Sequence, residues 1–597
     1  MPTYTAPLRD IRFVLNEVLQ VQNYANIPHF AEASPDVVDA ILEEGAKVCQ
    51  EVLQPLNRSG DEEGCNWKDG KVTTPKGFKE AYKMFREGGW TALGCDPAYG
   101  GQGLPYYVGV VMTEMISSAN MSFGMYPGLS HGAYHSIHRW GTDEQKKKWL
   151  PKIVNGEWSG TMNLTEPHCG TDLGLIRTKA EPQPDGSYKI TGTKIFISAG
   201  EHDMTENIVH LTLAKIPGGP DGIKGISLFI VPKILVNDDG SLGKPNAVRC
   251  GSIEHKMGIK ASSTCVLNFD EATGYLIGDK HKGMRAMFTM MNAARLGVGV
   301  QGIALAEVAY QNAANYARDR VQGRSLSGTK APDKPADPII VHPDVRRMLL
   351  NVRAFVEGSR MLALWAGLAV DLHEGHPDAE VRKESDDLLG LITPILKAYG
   401  TDGGFESAVT SMQCFGGHGY IREHGMEQFV RDARITQIYE GANGVQALDL
   451  VGRKLPANLG RSLRRFFHPL DAFLKENMAN PALKDFVPPL FKAYARLQQA
   501  TAHIAEKGMA KPEEAGAAAT EYLRLFALVA LGWMWARMAK VASEKLAAGG
   551  GEDPDFYKTK LVTGRFFMER VLPDTASLQV RCMAGAKTLM ELDAAAF

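Results

Sequence analysis

Residues 431–455 read RDARITQIYEGANGVQALDLVGRKL. Helix-forming residues flank the centre on both sides, yet EGANG (440–444) holds two glycines and an asparagine, all poor helix residues. The chain opens its backbone at this point and leaves one carboxylate, Glu440, between Tyr439 and Gly441. A lone glutamate on a helix is ordinarily a solvated charge. A solvated charge needs no break in the helix, so the break marks Glu440 as an acid turned inward.

Three further stretches could carry chemistry. Met162–Gly174, MNLTEPHCGTDLG, offers hydroxyls and backbone N–H groups suited to a phosphate or a flavin edge; the plainer reading is a chain-reversing turn. Gln413–Gly425, QCFGGHGYIREHG, allows close backbone approach at Gly416, Gly417 and Gly419, or is simply a corner between helices. Arg320 and Arg324, in YARDRVQGR, flank a glycine-bearing segment after a helix and suit pyrophosphate recognition, unless they only complement the helix dipole. His131, His135 and His138 fall at i, i+4 and i+7 of one helix face, but no HExxH occurs in the chain, and packing or surface roles are expected for them. No metal site is assigned.

Farther out, the hydrophobic period changes along the chain. Residues up to about 158 repeat with helical spacing, interrupted by the glycine-rich PAYGGQGLP (97–105). SYKITGTKIFIS, NIVHLTLAKI, KGISLFIVPK and STCVLNFDEA then read as short strands of a β-domain. Long helical patterns return near 284, with the proline-rich SGTKAPDKPADP (327–338) as a loop, and more helix follows from about 461. The expected divisions are an extension over 1–34, a helical domain over 35–158, a β-domain over 159–283, a helical bundle over 284–460 and a further helical domain over 461–597.

The 597 residues exceed what one core serves, and 44% apolar with 22% charged residues is ordinary for a soluble protein. A formal charge of -2 gives no general field for nucleic acid or an anionic membrane. Eight scattered cysteines without CxxC pairs suggest reduced thiols and a cytoplasmic setting. The opening residues lack the pattern of a signal peptide. YLRLFALVALGWMWARMA (522–539), broken by Arg524 and Arg537, reads as a buried helix too short to span a membrane comfortably.

Taken in order, YGGQGLP, NLTEPHCGTDLG, ITGTKIFIS, EHKMGIKASSTCVLNFD, NYARDRVQG, FGGHGY and RDARITQIYEGANGVQ resemble the acyl-CoA dehydrogenase family over residues 35–455. Length and the opening YTAPLRDIRFVLNEVL resemble its long subgroup, which includes 3-methylmercaptopropionyl-CoA dehydrogenases. The resemblance implies an α+β multidomain fold: an N-terminal helical domain, a β-barrel-like middle and a C-terminal helical bundle, here with an extra helical segment.

It also implies a cofactor, FAD, and a reaction. Glu440 would take the α-proton of an acyl-CoA thioester while the β-hydrogen leaves as hydride, giving a trans-2-enoyl-CoA. The backbone N–H of the base residue and a ribityl hydroxyl of FAD would stabilise the forming enolate. Met162, Leu164, Thr165, Gly170, Thr171, Phe196 and Ser198 would contact the flavin. Arg320, Gln322, Gln413 and Gly417 of a neighbouring subunit would hold its adenine and pyrophosphate. Asn292 and Arg295, with Thr171, would meet the CoA part of the substrate, and Gly441 would clear space for substrate beside the backbone. Asn292 stands where an aspartate is common, and Ala442 where the family usually has threonine.

Electrons would pass to an electron-transfer flavoprotein, or to oxygen were the chain an oxidase; the ending DAAAF carries no SKL-type address. Ser117–Gly128, with Met121, Phe123 and Met125, is expected to line the acyl pocket, for a short thioether acid or a longer chain. The C-terminal helices are too apolar to stay solvated and are expected to cover the bundle, leaving a homodimer.

Overall fold

The computed structural model describes residues 2–551 and 553–597. In chain order it begins with helices α1 (Leu8–Arg12), α2 (Pro35–Lys47) and α3 (Pro55–Glu63), a hairpin of β1 (Asn66–Lys68) and β2 (Lys71–Thr73), then α4 (Phe78–Glu87), α5 (Tyr106–Trp140) and α6 (Asp143–Val154). The β-region holds β3 (Trp158–Asn163), β4 (Lys179–Pro182), β5 (Tyr188–Ser198), β6 (Asn207–Lys215), β7 (Ile226–Pro232), β8 (Ile234–Val236), β9 (Leu242–Pro245), β10 (Val248–Ile253) and β11 (Thr264–Ile277). Helices α7 (Gly283–Asp319), α8 (Pro343–Gly375), α9 (Ala379–Cys414), α10 (Met426–Thr436) and α11 (Asn443–Asp449) follow. The chain ends in α12 (Arg461–Asn477), α13 (Val487–Ala510), α14 (Pro512–Ala547), α15 (Pro554–Arg570), α16 (Thr575–Cys582) and α17 (Lys587–Met590). Glu552, in the glycine-rich stretch AAGGGEDPD (547–555), lies outside the described residues.

The chain forms two compact units. One comprises residues 44–104 and 115–297 and contains the β-domain. Strand β11 pairs with β5, β5 with β4, β4 with β6, β6 with β7, and β7 again with β11, so five strands close into a ring. Strands β10 and β3 add to this ring at β11 and β6 and form the sheet's two edges. β6 and β7 are buried almost throughout because the strand period of two sends alternate residues into separate cores. Val209, Leu211, Leu213, Leu228 and Ile230 pack in a cluster with Trp149 and Trp158, while Phe229 and Val231 join Tyr188, Ile190 and Leu267 in another.

Met121, Phe123 and Met125 do not form an open, adaptable surface. All three are buried. The Phe123 ring is enclosed by Phe78, Tyr82 and Phe85 at centroid distances of 6.0, 6.4 and 5.6 Å. Asn120 breaks the regular φ/ψ of α5 just before them, its amide oxygen accepting from Phe123 N and its nitrogen donating to Leu53 O.

The second unit comprises residues up to 43, 105–114 and 298–597. Its helices α8 and α9 pack side by side, and α14 lies against both. Helix α14 is, contrary to the estimate from its apolar run, long and apolar enough to cross a membrane, yet 83% of its most apolar window is buried inside the protein. Gly358 of α8 lets it approach: an added Cβ would sit 2.7 Å from Trp535 Nε1, which donates to Ala354 O at 3.1 Å.

Asp10 of α1 ties the first residues to this unit. Its carboxylate accepts from Arg360 Nη1 at 2.6 Å and meets Lys560 of α15. Arg360 also donates to Glu114 and Glu307, both at 2.5 Å, and Lys560 to Glu357 at 2.6 Å. Both cations are fully buried, which a fold tolerates only when charges are paired and hydrogen-bonded throughout.

Candidate active site

Helix α10 runs out at Thr436, and its last turn closes with Ile438 and Tyr439 N–H donating to Ile435 O. Glu440 then adopts a φ of +55° and Gly441 one of +87° before α11 begins at Asn443. A side-chain-bearing residue in this left-handed region costs about 1–2 kcal/mol. Gly441 has its own reason to be glycine: besides its φ, an added Cβ would lie 2.4 Å from Gln446 Nε2. That local demand stands beside the substrate clearance expected of this glycine.

Surrounding side chains hold the left-handed pair in place. Gln446 Nε2 donates to Glu440 O at 3.1 Å. Lys397 Nζ donates to Gly441 O and to Asn443 Oδ1, each at 2.8 Å. Asn443 Nδ2 and Gln437 Nε2 both donate to Asp402 Oδ1 at 2.7 Å, and Tyr439 OH donates to Gln301 Oε1 at 2.5 Å. Glu440 itself is half-buried. The sequence reading missed Lys397, Asp402, Asn443 and Gln446; the available signal was a lysine inside the apolar run ITPILKAYG, where a charge is rare.

In the same unit, Arg320, Gln322, Gln413 and Gly417 are exposed. The ends of α7 and α9 that carry them are joined by Tyr316, stacked on Phe415 at 4.1 Å with its hydroxyl 2.8 Å from His418 Nδ1. An added Cβ at Gly416 or Gly417 would meet nothing within 4 Å, so the backbone there is open to a ligand. Arg320 lies nineteen residues along α7 from Gln301, roughly 28 Å at the helical rise, so these groups and Glu440 serve different places within one chain. Arg324 is not an anion ligand: it donates to Ala331 O, Lys334 O and Asp337 Oδ1, closing its own loop.

In the other unit, β3 delivers Met162 and leads into the Thr165 loop. Thr165 O accepts from Ile195 N at 2.9 Å, which sets the loop beside the end of β5. Glu166 lies at its base, buried, accepting from Lys194 Nζ at 2.9 Å, Thr178 Oγ1 at 2.6 Å and Arg177 N at 2.6 Å. Burial alone would raise the Glu166 carboxyl; Lys194, Thr178 and Arg177 together hold it below the ordinary value. Lys194, fully buried, also donates to Leu164 O at 3.0 Å.

Leu164 and Thr165 are half-buried, and Gly170 and Thr171 are exposed. Gly170 folds back toward Thr165, whose Cγ2 is 3.2 Å from where a Cβ would stand. Phe196 sits at an irregularity in the β5–β11 register with φ +58° and its ring 60% exposed, while Ser198 is half-buried two residues on. Asn292 and Arg295 lie a turn apart on α7, with Nη1 3.5 Å from Oδ1.

The histidine face of α5 is packing. His131 and His135 meet edge to face at 4.5 Å; burial lowers His131 to about 4 and also holds His135 well below the ordinary imidazole value. His138 Nε2 sits 3.0 Å from Asp96 Oδ2. The eight cysteines are all free.

A closed barrel in one unit and a helical bundle in the other are the domains that comparison with known proteins identifies. Residues 38–157, 161–272 and 281–455 match the N-terminal, middle and C-terminal domain models of acyl-CoA dehydrogenases, and 466–593 match the model described as acetyl-CoA dehydrogenase C-terminal like. The chain belongs to the acyl-CoA dehydrogenase family. It is 43% identical to the 3-methylmercaptopropionyl-CoA dehydrogenase of Ruegeria pomeroyi, over 96% of this chain and 97% of that one. It is 34% identical to a broad-specificity linear acyl-CoA dehydrogenase of Mycobacterium tuberculosis over the full length of both. An acyl-CoA dehydrogenase of Bacillus anthracis, solved in complex with FAD, shares the fold with a TM-score of 0.73 at 21% identity, over 92% of this chain and 88% of that one.

Proposed function

We propose that this protein carries out FAD-dependent α,β-dehydrogenation of a short acyl-CoA, 3-methylmercaptopropionyl-CoA or a similar linear thioester, with Glu440 as the base. The observation that carries the reading is the carboxylate held in a left-handed backbone between two helices and clamped from α9 and α11. The 43% identity to a 3-methylmercaptopropionyl-CoA dehydrogenase over nearly the whole chain supports the substrate class.

The residues present fit the cofactor. Met162, Leu164, Thr165, Gly170, Thr171, Phe196 and Ser198 would bind the flavin end, the exposed Phe196 ring and the hydroxyls supplying stacking and hydrogen bonds. Arg320, Gln322, Gln413 and Gly417 would hold adenine and pyrophosphate for the other protomer of a homodimer, consistent with their remoteness along α7 from the Glu440 loop. FAD, when bound, supplies the acceptor for the β-hydrogen and its electron pair. Glu440, half-buried at the turn between α10 and α11, takes the α-proton. Asn292, Arg295 and Thr171 would bind the CoA moiety. Electrons would leave to an electron-transfer flavoprotein, and the free thiols favour a cytoplasmic setting.

Anaerobic flavin bleaching across a chain-length series that includes 3-methylthiopropionyl-CoA tests this. We expect fastest bleaching with the short members; a preference for C8 or longer would overturn the substrate assignment. Peroxide formed in air, one per enoyl product, would reassign the chain as an oxidase.

A further inference from the structure

Lys397 occupies an unusual place. It lies on α9 among buried Ile395, Leu396 and Ala398, and is itself fully buried. An ammonium in such surroundings is costly unless its hydrogen bonds are made. Its donors are directed at the loop that carries the candidate base: one hydrogen bond to Gly441 O and one to Asn443 Oδ1, both 2.8 Å.

We propose that Lys397 is a positioning residue for the base. It acts through the loop. Glu440 and Gly441 both stand at positive φ, a conformation the chain does not hold unaided at Glu440. The carbonyl of Gly441 is the handle. Pulled toward α9 by the ammonium, it fixes the Gly441–Ala442 peptide, while Gln446 grips the Glu440 carbonyl, so that both peptides flanking Gly441 are held and with them the direction in which the Glu440 Cα–Cβ bond points. Asn443 extends the clamp: it accepts from Lys397, and its nitrogen donates to Asp402, which also accepts from Gln437. Residues before, within and after the break are thereby tied to one turn and a half of α9.

The inference rests on Glu440 being the base, and the test separates the two. The holoenzyme and its Lys397→Met variant are mixed with acyl-CoA anaerobically and, separately, with a 3-thia acyl-CoA in D2O, where exchange of the α-hydrogen reports proton abstraction alone. Backbone hydrogen exchange over 437–446 is measured on the same samples. We expect wild-type flavin content, loss of protection at 441–445, and bleaching and α-exchange both slower by about 100-fold, the scale of an ångström of misplacement. Binding of the enoyl-CoA product should change less than about threefold, since no contact to it is removed.

Bleaching and α-exchange within threefold of wild type would overturn the positioning role, whatever happens to thermal stability. Were Lys397→Met to lose its flavin, Asn443→Ala decides: a fall in α-exchange of at least about tenfold supports the clamp, and an unchanged rate refutes it. A wild-type protein that exchanges no α-hydrogen would instead refute the reading of Glu440.

Discussion

Glu440 holds a left-handed φ of +55° where Gln446 grips its own carbonyl and Lys397 that of Gly441. EGANG was legible as a break because two glycines and an asparagine interrupt a helical period. That Glu440 itself, and not only its glycine neighbour, would adopt a left-handed φ was not legible, since glutamate gives no local sign of it. Lys397 and Asp402 stayed hidden because they act from a separate helix some forty residues earlier.

Glu166 is the matching case in the other unit: TEP reads as a turn, and the turn is there, but its buried carboxylate depends on Lys194, twenty-eight residues later. This pair sets a pH response. A carboxyl whose folded value lies below its ordinary 4.5 binds fewer protons folded than unfolded, so its stabilisation is complete above 4.5 and fades as pH falls through the lower folded value. We expect Glu166→Gln to flatten the fall of Tm between about pH 5 and 3 relative to wild type. Parallel curves would show that the ion pair contributes nothing.

At the scale of elements, periodicity carried most of the reading. The four strands marked from alternation are β5, β6, β7 and β11, and the long helices return within a residue of the expected place. The hairpin β1–β2 was missed because each strand has three residues, too few to show a period. The Arg360–Lys560 cluster was beyond reach, since its members are spread from Asp10 to Lys560 and only packing assembles them.

Helix α14 resolves its own ambiguity: apolar on every side, it is surrounded by α8, α9, α13, α15 and α16 rather than left for a membrane or another subunit. The surface of α8 and α9 that it covers is therefore closed to a second pair of subunits. Light scattering of the full chain is expected to give a dimer, and a tetramer would contradict this account of the C-terminal helices.

For the whole molecule, the order of helical, β, helical and again helical segments pointed to the architecture before any residue role was assigned, and the family match over 38–593 agrees with it. Length alone could not reveal that the first residues and the last helices fold into one compact unit with the bundle. The candidate site residues fall on both units: the acid and the exposed arginine and glycines on one, the Thr165 loop, Phe196 and the α7 pair on the other. In the proposed reaction the chemistry turns on one proton.

Rapid anaerobic mixing of acyl-CoA with the Glu440→Gln holoenzyme measures that proton's removal most directly. With flavin content and acyl-CoA binding equal to wild type, we predict bleaching slower by a factor of about 10²–10⁴, the ordinary contribution of a general base. Bleaching at the wild-type rate would contradict the assignment of Glu440 and the mechanism built on it.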